Sequence, residues 1–577
     1  MGWGLVTLDL AATPIHHHDG LDAAWWRHAV IYQIYPRSFA DSTGNGIGDL
    51  PGARAKLPYL KALGVDAVWF SPFYTSPQAD AGYDVADYRD IDPLFGSLAD
   101  FEGLLNDANA LNLKVIVDLV PNHSSDEHAW FQAALAAGPG SPERERYIFR
   151  DGRGPDGQEP PNNWKSVFGG PGWKRVTEAD GTPGQWYLHI FDIKQPDFNW
   201  ENAQVRQEML DVIDFWVQRG VAGFRVDVAH GLVKREGLPD WDGDLPVLGH
   251  PDDDQAPTSA APMWDQDGVH EIYRSWRKLL DTYGAPDRIL CAEAWVHPPE
   301  RAALYIRPDE FHQAFNFDFL DCPWRASELR SVVAKSLTAC DSVGAPSTWV
   351  LSNHDVVRHA SRLGLPVGEY RPNGIGASDP QPDSVLGLRR ARAATTLMLG
   401  LPGSAYLYQG EELGLPEATE LPNDLREDPV YFRTQHKELG RDGCRVPLPW
   451  VGAAPGAGFG PSGATWLPQP ATYATLAVDQ QEGVPESTLE LYRTLLRLRR
   501  SRELGTGSLT EVTGLGTEVV AYLNERGTDA SPTLLLANLG QTPVALPEGS
   551  TVLVTSGPLT ELGAVPADTA IWASLPS

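Results

Sequence analysis

Four acidic residues stand at the ends of strand-like runs. Asp118 lies in KVIVDLV (114–120), Asp227 in GFRVDVAH (223–230), Glu293 in RILCAEAW (288–295) and Asp355 in TWVLSNHD (348–355). A single such acid reads most simply as a helix cap or a structural ion pair. Arg225 would supply the pair for Asp227, since residues two apart on a strand share a side. Several acids gathered on one rim repel one another unless the chemistry requires them. Cleavage of a glycosidic bond does require them. It uses an ionised carboxylate as nucleophile and a protonated one as general acid, about 5–5.5 Å apart when configuration is retained. Arg225 is expected to keep Asp227 ionised. Glu293, among Ile289, Leu290, Ala292, Ala294 and Trp295, is expected in an apolar setting suited to an acid catalyst.

The elements that must position these acids alternate along the chain. Val30–Tyr35, Val65–Phe70, FNFDF (315–319) and SAYLYQGEE (404–412) join the four runs above to give eight strand candidates. Helix-like periodicity covers 49–63, 98–111, 205–218, 269–283, 327–339, 384–399 and 487–500. Alternation of this kind implies a parallel sheet. Eight units suggest an α/β fold of the (β/α)8 TIM-barrel type, whose catalytic groups occupy the C-terminal strand ends. An open doubly wound sheet is the architectural alternative. The barrel is assigned 1–120 and 201–502, with a long loop region at 413–485. Residues 121–200, rich in Gly, Pro, Asn and Trp and without a clear helix, read as a B domain inserted after the third strand. The tail 503–577 (VVAYLN, TLLLANL, STVLVTS) alternates apolar and polar residues, as a small antiparallel β domain does.

Lys and Arg number 46 against 76 Asp and Glu, a net charge of −30, which argues against nucleic acid or an anionic membrane as partner. No stretch is long and apolar enough to span a bilayer, and MGWGLVTLDL lacks the basic start of a leader peptide. The four cysteines (Cys291, Cys322, Cys340, Cys444) form no C-x-x-C and read as free thiols of a reducing compartment. The expectation is a cytoplasmic soluble protein of undetermined oligomeric state.

DLVPNH (118–123), GFRVDVAH (223–230), EAW (293–295) and SNHD (352–355) resemble, in order and spacing, the four conserved regions of glycoside hydrolase family 13, the α-amylase family. QPDFNW (195–200) and PGSAYLYQGEE (402–412) resemble further regions of it. The resemblance implies Asp227 as nucleophile, Glu293 as acid/base and Asp355 as a third carboxylate that holds sugar hydroxyls. It implies that Arg225 orients the nucleophile and that His123 and His354 bind hydroxyls of the cleaved sugar. DAGYDVADY (80–88) and GRDGCRVPLPW (440–450) are similar to α-glucosidase and oligo-1,6-glucosidase segments, implying an Asp80–Arg441 pair and a stacking Tyr83 around a terminal glucose. Phe168 is implied as an aromatic wall, Arg358 and Arg445 as aglycone-side residues, and Val228 as an influence on α-1,4 against α-1,6 preference. The activity implied is an exo-acting, retaining α-glucosidase on short oligosaccharides or α-glucosides, with transglucosylation a possible branch and no organic cofactor. Sucrose- or trehalose-type hydrolases and isomerases are the rival enzymes, and a non-catalytic interaction subunit the rival of another class.

GNGIG (44–48) has the wrong glycine spacing for a dinucleotide loop. DSTGNGIGD resembles a family calcium loop with Asp41, Thr43, Asn45, the Ile47 carbonyl and Asp49 as oxygen donors. Thr43 and Asn45 stand where more acidic residues are usual, so weak calcium binding and a metal-free hydrogen-bonded turn are both open.

Overall fold

In the computed structural model, residues 14–17, 20, 24–243, 261–366, 373–526 and 531–575 are described. Residues 1–10, read above for a leader, lie outside them. Eight parallel strands form the centre: β1 (Val30–Ile34), β2 (Ala67–Phe70), β3 (Lys114–Leu119), β4 (Gly223–Val226), β5 (Ile289–Ala292), β6 (Gln313–Ala314), β7 (Thr348–Val350) and β8 (Ser404–Tyr408). Their spatial order is β6-β5-β4-β3-β2-β1-β8-β7, and a parallel bridge from Phe315 to Thr348 joins the two ends. The sheet is therefore a closed barrel, and the open alternative falls. Apolar runs such as VIYQI and SAYLY are buried throughout, because helices cover the outside while side chains fill the inside.

Local sequence sets the covering helices. Ser97 and Asp100 form a reciprocal capping box at the start of Leu98–Ala110. Asn202 caps Ala203–Gln218, whose buried stripe of Val205, Met209, Val212, Ile213 and Trp216 follows the 3.6-residue period. No helix among the described residues is long and apolar enough to cross a membrane. All four cysteines are free.

Three expectations need correction. FNFDF is not a strand: β6 comes earlier and is two residues long, because the Asn316 side chain accepts from the Phe319 amide and starts a short helix, Phe317–Asp321. Residues 121–200 contain a helix after all, Ala129–Ala137, capped by the His128 ring. It is followed by an antiparallel sheet of Phe149–Arg150, Pro183–Leu188 and Trp173–Thr177. The strand-like runs also stop early: β4 ends at Val226 and β7 at Val350, which puts Asp227 and Asp355 on the loops just beyond.

The C-terminal antiparallel sheet carries an unexpected first strand. Pro14–His16 pairs with Ser508–Glu511, and the order continues through Val519–Glu525, Thr533–Asn538, Thr569–Ser574 and Thr551–Thr555. This sheet docks on the helix Ser384–Gly400. Trp572 is fully buried there and donates its indole N–H to the Thr396 carbonyl at 2.8 Å. Gly400 permits the approach, since a Cβ at that position would lie 2.6 Å from the Leu535 side chain. Replacing Trp572 by Ala is expected to cost about 3–5 kcal/mol through lost burial and a residual cavity. The urea midpoint should fall while the activity of the folded fraction at 25 °C stays unchanged.

Candidate active site

Asp118 and Arg225 are register partners on β3 and β4, so both project into the barrel at one level. The Arg225 guanidinium is 1% exposed and serves three carboxylates at once. Its Nη1 lies 2.9 and 3.0 Å from the two Asp118 oxygens and 2.7 Å from Asp227 Oδ1, while Nη2 lies 2.8 Å from Glu293 Oε2. Trp69 and Tyr83 add donors to Asp118 Oδ2 at 3.2 and 3.1 Å. Glu293 also accepts from the Val228 amide at 3.0 Å and from the Trp295 indole at 3.3 Å. The apolar setting expected for Glu293 is therefore replaced by a ring of donors. Val228 makes its contact from φ 45°, a left-handed conformation uncommon for a β-branched residue and typical of strained functional turns.

Sharing one cation changes the electrostatics expected of Asp227. Burial pushes it well above the usual carboxylate range; Arg225 opposes this, and the neighbouring charges of Glu293 and Asp118 add to it. Asp118 is likewise pushed up by burial, to about 7, against the pull of Arg225. The expectation that Arg225 simply keeps Asp227 ionised thus gives way to a cluster in which one guanidinium cannot neutralise every acid.

Asp355 belongs to a second cationic centre. Although burial opposes it, the Arg441 and Arg445 guanidiniums hold its carboxyl well below the usual range, with Arg441 Nη1 at 3.1 Å and Arg445 Nη2 at 3.0 Å. Arg441 simultaneously binds Asp80 through Nη2 at 2.8 Å and Asp428 through Nε at 2.7 Å, and lies 5.1 Å over the Phe168 ring. Burial raises Asp80 to about 7 even with Arg441 beside it. Asp84 fixes the Asp80 loop by accepting from the Ala79 and Asp80 amides and the Ser76 hydroxyl. Tyr83 stacks on His354 with ring centroids 5.3 Å apart, and its hydroxyl is 2.6 Å from His354 Nε2. Burial lowers His123 to about 4 and His354 well below its ordinary value, so both rings are neutral.

All eleven residues named for catalysis and substrate binding thus join one connected, largely buried cluster beyond the C-terminal strand ends. Arg358 does not: it is buried, donating to the carbonyls of Gln409 and Cys444, and belongs to the support of the 440–445 segment. Arg445 contacts Asp355 and the His354 carbonyl. Three further residues emerge. Asp118 had been noted as an acid without a role. Gln195 donates to Asp80 Oδ2 at 3.1 Å and sits 3.1 Å from His123 Nε2; its QPDFNW motif was a usable signal. Asp428 comes from the long loop region and carried no sequence signal. The same loop roofs the pocket: Arg433 donates to the Gly169 carbonyl at 2.8 Å, beside Phe168, and Val430 packs in the Phe168 cluster.

The loop that resembles a calcium loop turns its oxygens onto its own amides. Asp41 accepts from the Thr43, Gly44 and Gly46 amides and the Thr43 hydroxyl. Asp49 caps the next helix through the Gly52 amide and takes both donors of Ser42. Asn45 accepts from the Ile47 amide. A hydrogen-bonded turn is thus in place on the same residues that would offer oxygens to a hard cation.

Comparison with known proteins agrees with this architecture. Residues 33–507 match the alpha-amylase catalytic-domain family. Maltase 1 of Drosophila virilis is 38% identical over 557 residues, covering 92% of this chain and 82% of its own. The oligo-1,6-glucosidase of Heyndrickxia coagulans is 35% identical over 557 residues, covering 90% of this chain and 93% of its own. The crystal structure of an alpha-glucosyl transfer enzyme superposes with a TM-score of 0.82 at 37% identity, covering 96% of this chain and all of the other. The chain belongs to glycoside hydrolase family 13, the α-amylase family.

The raised Asp227 has a kinetic sign. In the nucleophile role that the resemblance implies, Asp227 must be ionised, and a group whose pKa is raised ionises only as pH climbs through that value. The acid limb of kcat/KM is therefore expected to fall off above the ordinary carboxylate range of about 3.9–4.3. Asp118→Asn, which removes one competitor for Arg225, should move that limb to lower pH. A full pH–rate profile of both proteins checks this.

Proposed function

We propose that this α-amylase family hydrolase is an exo-acting, retaining α-glucosidase. It would release glucose from the non-reducing end of short α-1,4- or α-1,6-linked oligosaccharides and α-glucosides. The observation that carries the reading is the Arg441 centre. Asp80 and Asp428 brace Arg441 from two sides, with Phe168 beneath, which suits a pocket that ends at one sugar rather than a cleft that admits a chain. The maltase and oligo-1,6-glucosidase among its relatives support the same class.

In this mechanism Asp227 attacks C1 while Glu293 protonates the departing glycosidic oxygen, giving a β-glucosyl ester. Glu293 then takes a proton from water, which displaces Asp227 and restores the α configuration. Both carboxylates sit on adjacent nitrogens of the Arg225 guanidinium, which supports the short spacing of a retaining pair over the about 6.5–9.5 Å of an inverting one. Asp355, held as an anion by Arg441 and Arg445, binds hydroxyls of the same sugar and favours the positively charged transition state. Neutral His123 and His354 bind further hydroxyls. If a sugar hydroxyl replaces water, the ester transfers glucose, as the name of the related transfer enzyme suggests. Val228, packed between nucleophile and acid, biases linkage by about 1–3 kcal/mol at most. The chemistry needs no organic cofactor, and the 41–49 loop is self-supporting without calcium. The free cysteines support a cytoplasmic setting.

Maltose and isomaltose should both yield glucose, and NMR of the first product should show the α anomer. Isomerised disaccharide, or the β anomer, would sink the assignment. Asp227→Asn should lose at least about 10³-fold in kcat, whereas Glu293→Gln should keep far more activity on nitrophenyl glucosides than on maltose, because a good leaving group needs little acid help. Exhaustive EDTA treatment should leave both the melting temperature and activity unchanged; a fall restored by calcium would reverse the reading of the loop.

A further inference from the structure

The two oxygens of Glu293 meet different neighbours. Oε2 lies 2.8 Å from Arg225 Nη2 and accepts from the Val228 amide at 3.0 Å. Both partners are donors only, since neither a guanidinium nor a backbone N–H has a lone pair to receive a proton. A proton on Oε2 would face two donor hydrogens, so the acid form of Glu293 carries its proton on Oε1. That oxygen has the longer contact, 3.3 Å, from the Trp295 indole N–H. A carboxylic O–H oxygen still offers a lone pair to such a donor. With the indole on that lone pair, the O–H has to turn away from Trp295. The indole is itself fixed. Glu293 and Trp295, two apart just beyond β5, share a side of the chain. The Trp295 ring lies parallel to Phe317, within 4° and with centroids 3.6 Å apart. Phe317 is buried and begins the short helix that Asn316 caps by accepting from the Phe319 amide at 3.0 Å. The same cap that turns FNFDF away from a strand thus sets the ring against which the indole rests.

We propose that the proton Glu293 delivers is carried on Oε1, and that Trp295 is the positioning residue that aims it at the leaving group. The inference rests on the reading of Glu293 as acid/base. As the Asp227 carboxylate bonds to C1, the bond from C1 to the glycosidic oxygen breaks. The departing oxygen takes the proton from Oε1 and leaves Glu293 as a carboxylate. In the second half Oε1 takes a proton from the incoming water while the indole donates to the same oxygen. Trp295 acts through Glu293, so its effect is largest where the leaving group most needs a proton.

The test is kcat/KM on maltose and on a series of α-glucosides with phenol leaving groups, from 2,4-dinitrophenyl to 4-methylphenyl. Trp295→Phe keeps a ring against Phe317 but lacks the N–H. It should lose about tenfold on maltose and the 4-methylphenyl glucoside, and less than about twofold on the dinitrophenyl glucoside. Phe317→Leu keeps the N–H and loosens the indole, so it should steepen the same dependence to a smaller degree. Glu293→Gln should show the steepest dependence of all. A purely structural role for Trp295 would lower every substrate alike. An equal loss across the series in Trp295→Phe, or no loss, with Glu293→Gln still steep, would overturn this inference alone. Should Trp295→Phe fail to fold, an even series in Phe317→Leu would do the same. An even series in Glu293→Gln would instead overturn the acid/base reading, and this inference with it.

Discussion

One buried guanidinium determines how this active site is built. Arg225 stands inside the barrel with Asp118, Asp227 and Glu293 on its nitrogens, and every neighbouring feature answers to that crowding. A lone buried cation would be costly, and three unpaired buried carboxylates more so. Placed together they are tolerable only because the register of β3 and β4 puts Asp118 level with Arg225 and because tyrosine, tryptophan and backbone donors absorb the remaining lone pairs. The arrangement leaves more carboxyl groups than one guanidinium can neutralise, surrounded by protein dipoles. That is the environment in which a developing positive charge on a sugar ring is stabilised most and a neutral ground state least.

The second hub, Arg441, shows how far apart in sequence the pocket's parts lie. Asp80 comes from the loop after β2, Asp355 from the loop after β7, and Asp428 and Arg441 from the loop region after β8. The inserted B domain contributes Phe168 and Gln195. The barrel supplies the reacting acids, and the insertions supply the enclosure. The Arg433 contact to the Gly169 carbonyl joins two of these insertions directly.

Much of this was legible in the sequence. The alternation of apolar runs with amphipathic helices implied the barrel, and the strand-end acids marked the rim on which Asp118, Asp227, Glu293 and Asp355 gather. The errors share a physical origin. FNFDF has the composition of a strand, but a single side-chain cap at Asn316 outweighed propensity. AWFQAALAA is a helix hidden in a region whose Gly and Pro content suggested none. The polar setting of Glu293 is not visible in its own segment, because apart from Trp295 its donors come from Arg225 on the adjacent strand and Val228 in the turn beyond it. Asp428 could not have been found at all: it is one acid among several in a long irregular loop, and only the fold brings it to Arg441. Val228 lay in plain view as a strand residue, yet its left-handed backbone arises from the turn that follows the shortened β4.

The strand Pro14–His16 extends this picture to the chain's synthesis. It occupies an edge of the C-terminal sheet, against Ser508–Glu511, and its His16 ring also pairs with Asp341 at 2.8 Å. Translation produces it nearly five hundred residues before its sheet partner exists. A segment made that early must wait with an unpaired edge while the whole barrel emerges, a long-range closure that is slow by nature. Pairing of this edge therefore joins the earliest described strand to a sheet made only after the whole barrel has been synthesised.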